Sequence, residues 1–308
     1  MRVLLAGASG AIGTPLTRQL VAAGHEVVGV TRSRANAERL RTAGARAVVA
    51  DVMDRENLLA AVRDVRADAV MHQLTALSTK VRQAMEGTNA LRTTGTANLL
   101  AAARAVGAHR FLTQSIVLGY GYRDHGPHMI TEDNPFAEPE PGPFGSAIAA
   151  LRSNEEQVFS AAEIEGIALR YGGFYGQDGF TRMIVNLVGK RRLPVPSSGG
   201  GFVTFIYLED AAAATVAALE KGRAGQAYNI VDDEPVRWAD FLDALAAELG
   251  VRRPWRVPAW MLRPIPYLHT IMTTSMRVSN AKAKRELGWA PAVSTYRQGV
   301  PLVAKASR

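Results

Sequence analysis

The chain has 308 residues, of which 47% are hydrophobic, a size that suits one large α/β domain or a nucleotide domain with a smaller lobe. It contains no Cys, which excludes disulfides and thiolate metal sites, and no metal is predicted. The net charge of +8 comes mostly from scattered Arg residues, so we expect anionic small molecules rather than nucleic acid as partners.

The first strand is predicted within three residues of Met1, which leaves no room before it for a secretory signal. No uncharged apolar stretch reaches the roughly 18 residues that a membrane span needs. The expectation is therefore a cytoplasmic protein without a membrane partner.

Residues 3–13 are the most informative stretch of the chain, because an apolar run leads into three glycines and then into a helical pattern. Glycines let the backbone turn sharply and approach a ligand, and the N–H groups that begin a helix attract phosphate. This order of strand, turn and helix predicts a dinucleotide site rather than an ordinary tight turn. The predicted pyrophosphate-binding residues are Gly7, Ser9, Gly10, Ala11, Ile12 and Gly13.

Strand and helix patterns alternate over the first 113 residues. Strands are predicted at 3–6, 26–31, 45–50, 69–72 and 110–113, and helices at 35–43, 57–63 and 81–106. This alternation predicts an α/β fold with a doubly wound parallel sheet, the Rossmann arrangement. Because ligands bind beyond the carboxyl ends of such strands, we expect one cleft at Gly7, Thr31, Asp51, Gln73 and Gln114.

The second half of the chain is less regular. A long loop is predicted over 120–145 and irregular structure over 254–266. Helices are predicted at 147–165, 211–219 and 241–249, and strands at 167–171, 203–206 and 227–231, the last two returning to the sheet. The predicted dinucleotide-binding domain comprises 1–170 with 203–231, and the smaller substrate lobe comprises 171–202 with 232–308.

The end of the second strand carries no acidic residue. NAD-preferring sites usually place an acid there, whereas this chain has Thr31, Arg32, Ser33 and Arg34. Arginines pair well with a phosphate, and the two hydroxyls can hydrogen-bond to it. This segment predicts NADP(H), with NAD(H) as the alternative cofactor and solvated loop arginines as the alternative interpretation.

The wide glycine spacing of 7, 10 and 13 resembles the extended short-chain dehydrogenase/reductases, often described as NAD-dependent epimerase/dehydratases. The resemblance continues through Thr88-Asn89, 110–115, 169–176, 205–212 and 279–291, and so covers nearly the whole chain. It implies that Asp51 and Val52 contact the adenine, although Asp51 could instead cap the following helix. It further implies cofactor contacts for Gln73, Leu74, Thr75 and Asn89, and a catalytic role for Ser115, whose hydroxyl could alternatively be satisfied by the backbone.

One part of the family pattern is missing. Redox members carry a Tyr and, four residues later, a Lys on one helix, where the Lys lowers the Tyr pKa for proton transfer. In this chain the equivalent pair is Ile148 and Arg152, or Ala147 and Leu151 in the neighbouring register. Arg152 could supply a cation near the cofactor. The candidate replacement proton donors are Ser115, Tyr120, Tyr122, His125 and Tyr175.

Three functions stay open from the sequence. The first is an atypical NADP(H)-dependent reductase that acts on a small carbonyl, alcohol or sugar-like substrate by hydride transfer. The second is a redox-neutral isomerase, dehydratase or cyclase, and the third is a dinucleotide-sensing protein without turnover. Arginines that could meet an anionic substrate group are Arg182, Arg191, Arg192 and Arg237. The family resemblance also implies a homodimer, formed through alanine-rich helix faces at 97–103 and 147–151.

Overall fold

The computed structural model describes residues 1–76 and 80–306, and its first part alternates strand and helix as predicted. The elements are β1 Arg2–Ala6, α1 Gly13–Ala22, β2 Glu26–Thr31, α2 Arg34–Thr42, β3 Arg46–Val49, α3 Arg55–Val62, β4 Ala69–His72, α4 Val81–Ala90, α5 Thr96–Val106 and β5 Arg110–Ile116. The helix predicted at 81–106 is present without a break in the structure. Its middle part, Leu91–Gly95, is π-helical and joins α4 to α5.

The second part of the chain contains more short elements than the sequence predicts. They are β6 Asp124–Ile130, α6 Pro143–Phe159, β7 Glu165–Tyr171, β8 Gly173–Tyr175, α7 Gly179–Gly189, β9 Val195–Pro196, β10 Phe202–Val203, β11 Phe205–Tyr207, α8 Leu208–Lys221, β12 Gln226–Ile230, β13 Val236–Arg237, α9 Trp238–Glu248, β14 Arg256–Val257, α10 Pro266–Thr273, β15 Ser275–Val278, α11 Ala281–Leu287 and α12 Tyr296–Ala306. No helix of the described residues is both long and apolar enough to cross a membrane.

Seven strands form the central sheet in the order β12-β7-β5-β4-β1-β2-β3, and every pairing in it is parallel. The predicted doubly wound Rossmann sheet is therefore confirmed. The chain winds outward from β1 to β3 and then crosses back to β4, so the strand order reverses between β1 and β4. In open α/β sheets ligands bind at this reversal, outside the carboxyl ends of the strands.

Two expectations for the later strands were wrong. The segment predicted as a strand at 203–206 does not join the central sheet, because β10 pairs with β13 and β11 pairs with β8. The predicted loop at 120–145 contains β6, which pairs with β15 from far along the chain. Such two- to seven-residue pairings depend on contacts between distant segments, which a local pattern does not report.

The core lies in layers on both faces of the sheet. Along β1, Val3 and Leu5 face the helical layer that contains α1 and α8, whereas Leu4 and Ala6 face the layer of α3 and α5. Because both faces are covered, the strands are continuously apolar rather than alternating. A separate aromatic and aliphatic core, built from β8, β11, α9 and α12, fills the C-terminal part of the molecule.

Candidate functional site

The glycine turn brings two backbone segments into direct contact at the start of the cleft. Gly7 has a φ of +91°, and a Cβ there would lie 2.5 Å from the carbonyl oxygen of Gln73. A Cβ on Gly13 would lie 1.9 Å from the Gly7 carbonyl oxygen. Neither position can hold a larger residue without moving backbone, which explains both glycines physically.

The turn ends at the beginning of α1. Ser9 and Gly10 are half-buried and Ala11 is exposed, while the Ile12 side chain is buried in the sheet core. Ile12 occupies the N-cap position of α1 and makes no side-chain capping bond. The first N–H groups of a helix have no partner within the helix, so this uncapped start fits an anionic phosphate.

The segment after β2 presents two cations beside this turn. Arg32 and Arg34 are exposed, and neither forms an ion pair with any described residue. The hydroxyl of Ser33 caps α2 by accepting from the Asn36 N–H, and Thr31 accepts from the Ser33 N–H. The Asn36 side chain donates to the Ser9 hydroxyl at 3.2 Å, which joins the two loops.

The segment after β3 corrects one alternative from the sequence. Asp54, not Asp51, caps α3 by accepting from the Asn57 N–H at 3.0 Å. The Asp51 carboxylate accepts instead from the Met53 N–H. The Val52 side chain is buried, and its carbonyl accepts from Asn98, a residue that the sequence did not single out.

Several buried polar atoms without partners lie at the carboxyl ends of β4 and β5. Within the described ranges, Oε1 of Gln73, Oε1 of Gln114, the hydroxyl of Ser115 and Oδ1 of Asn89 on α4 have no hydrogen-bond partner. The Gln73 amide nitrogen has only the Tyr171 hydroxyl near it in the described part of the chain. The backbone does not satisfy Ser115, so that alternative was wrong. Buried polar atoms are normally paired, so these groups are available to a ligand. Beyond Gln73, Leu74 is half-buried and Thr75 exposed.

Helix α6 confirms that the usual acid and its cation are missing. Ile148, Ala147 and Leu151 are buried apolar side chains, so no hydroxyl stands at either register of the Tyr position. Arg152 donates to Glu138 at 2.7 Å and lies 3.9 Å from Glu156. Arg152 is therefore paired with two exposed carboxylates, and its role as a cation near the cofactor stays a prediction.

Tyr120 was wrongly placed among the candidate proton donors. It is 2% exposed, donates to Asn229 at 2.9 Å and accepts from Arg170 at 2.8 Å. Burial raises the pKa of this phenol. Arg170 in turn forms a bidentate ion pair with Glu155, so Tyr120 belongs to a buried structural network.

Tyr175 was also a wrong candidate. It is 2% exposed and packs edge-to-face against Phe205, Tyr207 and Phe241 in the C-terminal core. Burial, with the nearby charge of Asp232, raises the pKa of its phenol far above the ordinary value. Its hydroxyl has no hydrogen-bond partner among the described residues, but the ring belongs to the C-terminal core and not to the layers that cover the central sheet.

Besides Ser115, two candidate proton donors remain, Tyr122 and His125. Tyr122 is half-buried with its ring centroid 4.6 Å from that of Phe144, and burial raises its pKa to about 12. His125 lies on β6, where its Nε2 is 3.1 Å from the Gly121 carbonyl oxygen. The ring of His125 is therefore held by its own loop.

The sequence did not single out two buried residues beside this cluster. His72 ends β4, and its Nε2–H donates to the Leu91 carbonyl while Nδ1 accepts from the Leu74 N–H. Burial lowers the pKa of His72 to about 4, so the ring is neutral at neutral pH. Arg92, in the π-helical segment, is 8% exposed, and burial lowers its pKa to about 10. An Arg in a helical pattern predicts a solvated face, so no local signal marks Arg92.

The four other arginines considered for an anionic substrate differ in their surroundings. Arg191 lies over the Trp255 ring at 4.1 Å, and Arg237 lies over Phe202 and donates to the Gly200 carbonyl. The remaining two, Arg182 and Arg192, are exposed.

The fold and site define an α/β protein with a glycine-rich phosphate turn and a polar cleft beyond its strand ends. A model of the NAD dependent epimerase/dehydratase family matches residues 3–231, and the chain belongs to this family. The family and its relatives make the protein an NAD(P)-dependent oxidoreductase- or epimerase-like enzyme.

Relatives cover nearly the whole chain. A 3-diazoavenalumate denitrifying reductase from a Streptomyces species is 38% identical over 311 residues, covering 97% of this chain and 99% of the relative. A 2-alkyl-3-oxoalkanoate reductase from Stenotrophomonas maltophilia is 27% identical, covering 96% of each chain. The solved UDP-glucose 4-epimerase of Thermus thermophilus in complex with NAD superposes with a TM-score of 0.79 at 25% identity, over 100% of this chain and 99% of that one.

Proposed function

We propose that this protein is an NADP(H)-dependent reductase that replaces a diazonium group on a small carboxylate substrate with hydrogen and releases dinitrogen. The observation that carries the proposal is the cleft itself. Its phosphate turn and polar strand ends are intact, but apolar side chains fill both registers of the proton-donating Tyr. The 38% identical reductase, whose name describes nitrogen removal from a diazo acid, supports the same chemistry.

A reaction of this kind explains the missing acid. Reduction of a carbonyl creates an alkoxide that must be protonated, and the family Tyr supplies that proton. A diazonium carbon is already electrophilic, and its leaving group departs as a neutral molecule. The reduced cofactor supplies a hydride that forms the new C–H bond while the C–N bond breaks, its electron pair leaving with dinitrogen, so one NADPH is oxidised per dinitrogen and no proton is required.

The residues of the chain divide into binding and orienting groups. We assign the turn between Gly7 and Gly13 to the pyrophosphate and Arg32 and Arg34 to the 2′-phosphate, with Thr31 and Ser33 as hydroxyl partners. Asp51 and the backbone of Val52 are assigned to the adenine. At the reacting end the orienting groups are Gln73, Leu74, Thr75, Asn89 and Ser115.

The chain packs around two separate regions, which we assign to different binding roles. We propose that 1–170 with 203–231 bind the dinucleotide and that 171–202 with 232–308 complete the substrate side. The separate aromatic core of β8, β11, α9 and α12 supports this division.

Carbonyl reduction is the competing candidate. The relative that reduces 2-alkyl-3-oxoalkanoates favours it, and so does the unpaired hydroxyl of Ser115, which could hold a substrate oxygen. In that case Tyr122, His125 or Ser115 would have to supply the proton, and burial raises the pKa of Tyr122 to about 12. A Tyr with a raised pKa is a weaker acid than the lysine-assisted Tyr of the family.

Substrate-dependent NADPH oxidation tests the proposal. The protein is mixed with NADPH deuterated at C4 and 4-carboxybenzenediazonium, with an enzyme-free control for spontaneous reduction. We expect one dinitrogen per NADPH, deuterium at the carbon that carried nitrogen, and a rate that is flat from pH 6 to 8.

Other outcomes identify the alternatives. Turnover of a carbonyl panel without diazonium reduction would make the protein a carbonyl reductase. Product without net NADPH oxidation would make it a redox-neutral enzyme. Dinucleotide binding without any product would make it a sensor.

A further inference from the structure

Arg92 is a buried cation that no carboxylate among the described residues neutralises. Two arginines are buried in the described part of the chain, and the other, Arg170, is paired with Glu155. The Arg92 carbonyl accepts from the Thr96 hydroxyl, but the guanidinium makes no ion pair or hydrogen bond with residues 1–76 and 80–306. We propose that Arg92 binds the carboxylate of an aromatic substrate whose ring packs against Tyr122, Phe144 and Tyr267; the inference rests on the proposed function and names its substrate class.

Burial makes an unpaired guanidinium costly. Removing a charge from water without a partner is strongly unfavourable, and buried charges in proteins are normally paired. Burial lowers the pKa of Arg92 only to about 10, so the group remains charged at neutral pH. A ligand carboxylate would pair with it and repay that cost through short charge-assisted bonds.

The π-helical segment holds Arg92 beside the reacting end of the cleft. The Leu91 carbonyl, next to Arg92, accepts from His72 at the end of β4, at 3.1 Å. Thr88, one turn earlier, accepts from the Ala76 N–H. Both bonds join the helix to the segment that carries Gln73. π-Helical insertions are frequent at functional sites because they redirect side chains.

His72 cannot neutralise Arg92. Its Nε2–H is donated to Leu91 and its Nδ1 accepts from Leu74, so both ring nitrogens are used. The ring is neutral at neutral pH, as its lowered pKa requires. The charge of Arg92 is therefore left for a ligand.

Aromatic side chains from three separate elements form one cluster, and α6, which carries one of them, packs against the π-helical segment that holds Arg92. Tyr122 follows β5, and its ring lies 4.6 Å from Phe144 at the start of α6. Phe144 stacks at 6.1 Å on Tyr267 of α10, which is 41% exposed. Tyr122 and Arg92 are close enough to influence each other's pKa. The rings of Tyr122, Phe144 and Tyr267 form an aromatic wall. A planar substrate ring fits against this wall, because aromatic pairs stack favourably at these centroid distances.

The test uses an unreactive pair of probes, cinnamate and methyl cinnamate, titrated calorimetrically into protein saturated with NADP⁺. We expect wild-type protein to bind the acid at least tenfold more tightly than the ester. Arg92→Met should abolish that preference and leave NADP⁺ affinity unchanged. Arg104→Gln, an exposed position on α5, is the matched control and should retain the preference.

Thermal unfolding without ligand separates a binding role from a structural one. Because Arg92 has no partner to lose, Arg92→Met should unfold at the same temperature as wild type or higher. A lower unfolding temperature together with an intact preference for the acid would overturn the proposal. A variant that loses NADP⁺ binding but keeps the acid preference would also overturn it.

A second variant tests the aromatic wall. Tyr267 is partly exposed, so Tyr267→Leu is expected to fold, and it should weaken the acid and the ester alike by about fivefold. Unchanged affinity for both probes would overturn the aromatic part of the inference. The probes carry no diazonium group, so this binding result can be interpreted even if the protein does not reduce a diazonium substrate. Conversely, failure to bind the acid would not contradict the proposed reductase function.

Discussion

At the scale of single residues, the cleft is marked by groups that folding leaves unsatisfied. Gln73 and Ser115 are almost fully buried and have polar atoms without partners in the described residues. Each such atom costs folding free energy, on the order of 1–3 kcal/mol. Their concentration at two neighbouring strand ends is what an orienting surface for a ligand requires.

Arg32 and Arg34 should decide the cofactor. A double change to Ala removes two exposed cations that are not ion-paired in the described residues, so it should weaken NADPH binding by tenfold or more. Binding of NADH should change less than threefold, because it lacks the 2′-phosphate. Parallel calorimetric titrations with both cofactors measure this, and Arg63→Ala, an exposed site on the far end of α3, is the control. Equal losses for both cofactors would remove these arginines from the phosphate site.

Asp232 should make stability depend on pH. The residue is 1% exposed, and burial raises its pKa to about 8 from an ordinary value near 3.8. Between these values the folded protein holds a proton that the unfolded chain has lost, so the free energy of unfolding falls as pH rises from about 4 to 8. One pKa unit corresponds to about 1.4 kcal/mol, so the fall amounts to a few kcal/mol.

The variant Asp232→Asn carries no such proton and should show a flatter profile. Urea unfolding at pH 5 and pH 8 measures the difference, and Asp64→Asn, at an exposed position, should behave as wild type. Parallel profiles for wild type and Asp232→Asn would contradict the prediction.

At the scale of elements, the strand–turn–helix unit of β1 and α1 follows from its local sequence, whereas the π-helical segment does not. Gly13 is required where α1 meets the turn, as the 1.9 Å approach of a Cβ to the Gly7 oxygen shows. The π segment lies in a stretch whose residues suit an ordinary helix. Its carbonyl at Leu91 is bonded by His72 from another element, so the irregularity depends on tertiary contact.

Gly13→Ala should disrupt the phosphate turn. The added methyl group must displace backbone at Gly7 and Ala8, which typically costs 1–3 kcal/mol of stability. Dinucleotide affinity should fall at least tenfold, as measured by calorimetry. Gly189→Ala at the end of α7 meets nothing within 4 Å and should be neutral or slightly stabilising. Normal NADPH binding by Gly13→Ala would contradict the assignment of the glycine turn to the pyrophosphate.

At the scale of the whole molecule, the alanine-rich faces proposed for a dimer are largely used inside the chain. Ala102, Ala103, Ala147 and Leu151 are buried against the protein's own core. A partner would therefore have to pack on the remaining exposed positions of these helices, including Ala97 and Ala149.

We predict a homodimer through these exposed positions. Small side chains permit close helix packing, and an Arg there adds volume and charge, so Ala149→Arg should convert the dimer to a folded monomer. Size-exclusion chromatography with light scattering measures the mass, and Ala224→Arg, in the exposed turn before β12, is the control. A wild-type protein that is monomeric at high concentration would contradict this prediction.

The sequence by itself determined the features that depend on local pattern. These were the alternating strands and helices, the doubly wound sheet, the glycine turn and the absence of the Tyr and Lys on α6. Apolar periodicity and glycine positions are properties of neighbouring residues, so no distant contact was needed to recognise them.

Only the tertiary structure decided which polar residues are free and which are satisfied. Tyr120, Tyr175 and Arg152 look like catalytic candidates in the sequence, but distant partners or the C-terminal core enclose them or pair with them. Arg92 looks like an ordinary helical surface residue, yet the fold buries it without a counter-charge among the described residues. Burial and pairing arise from segments far apart in the chain, and the functional character of a charged or phenolic group depends on both.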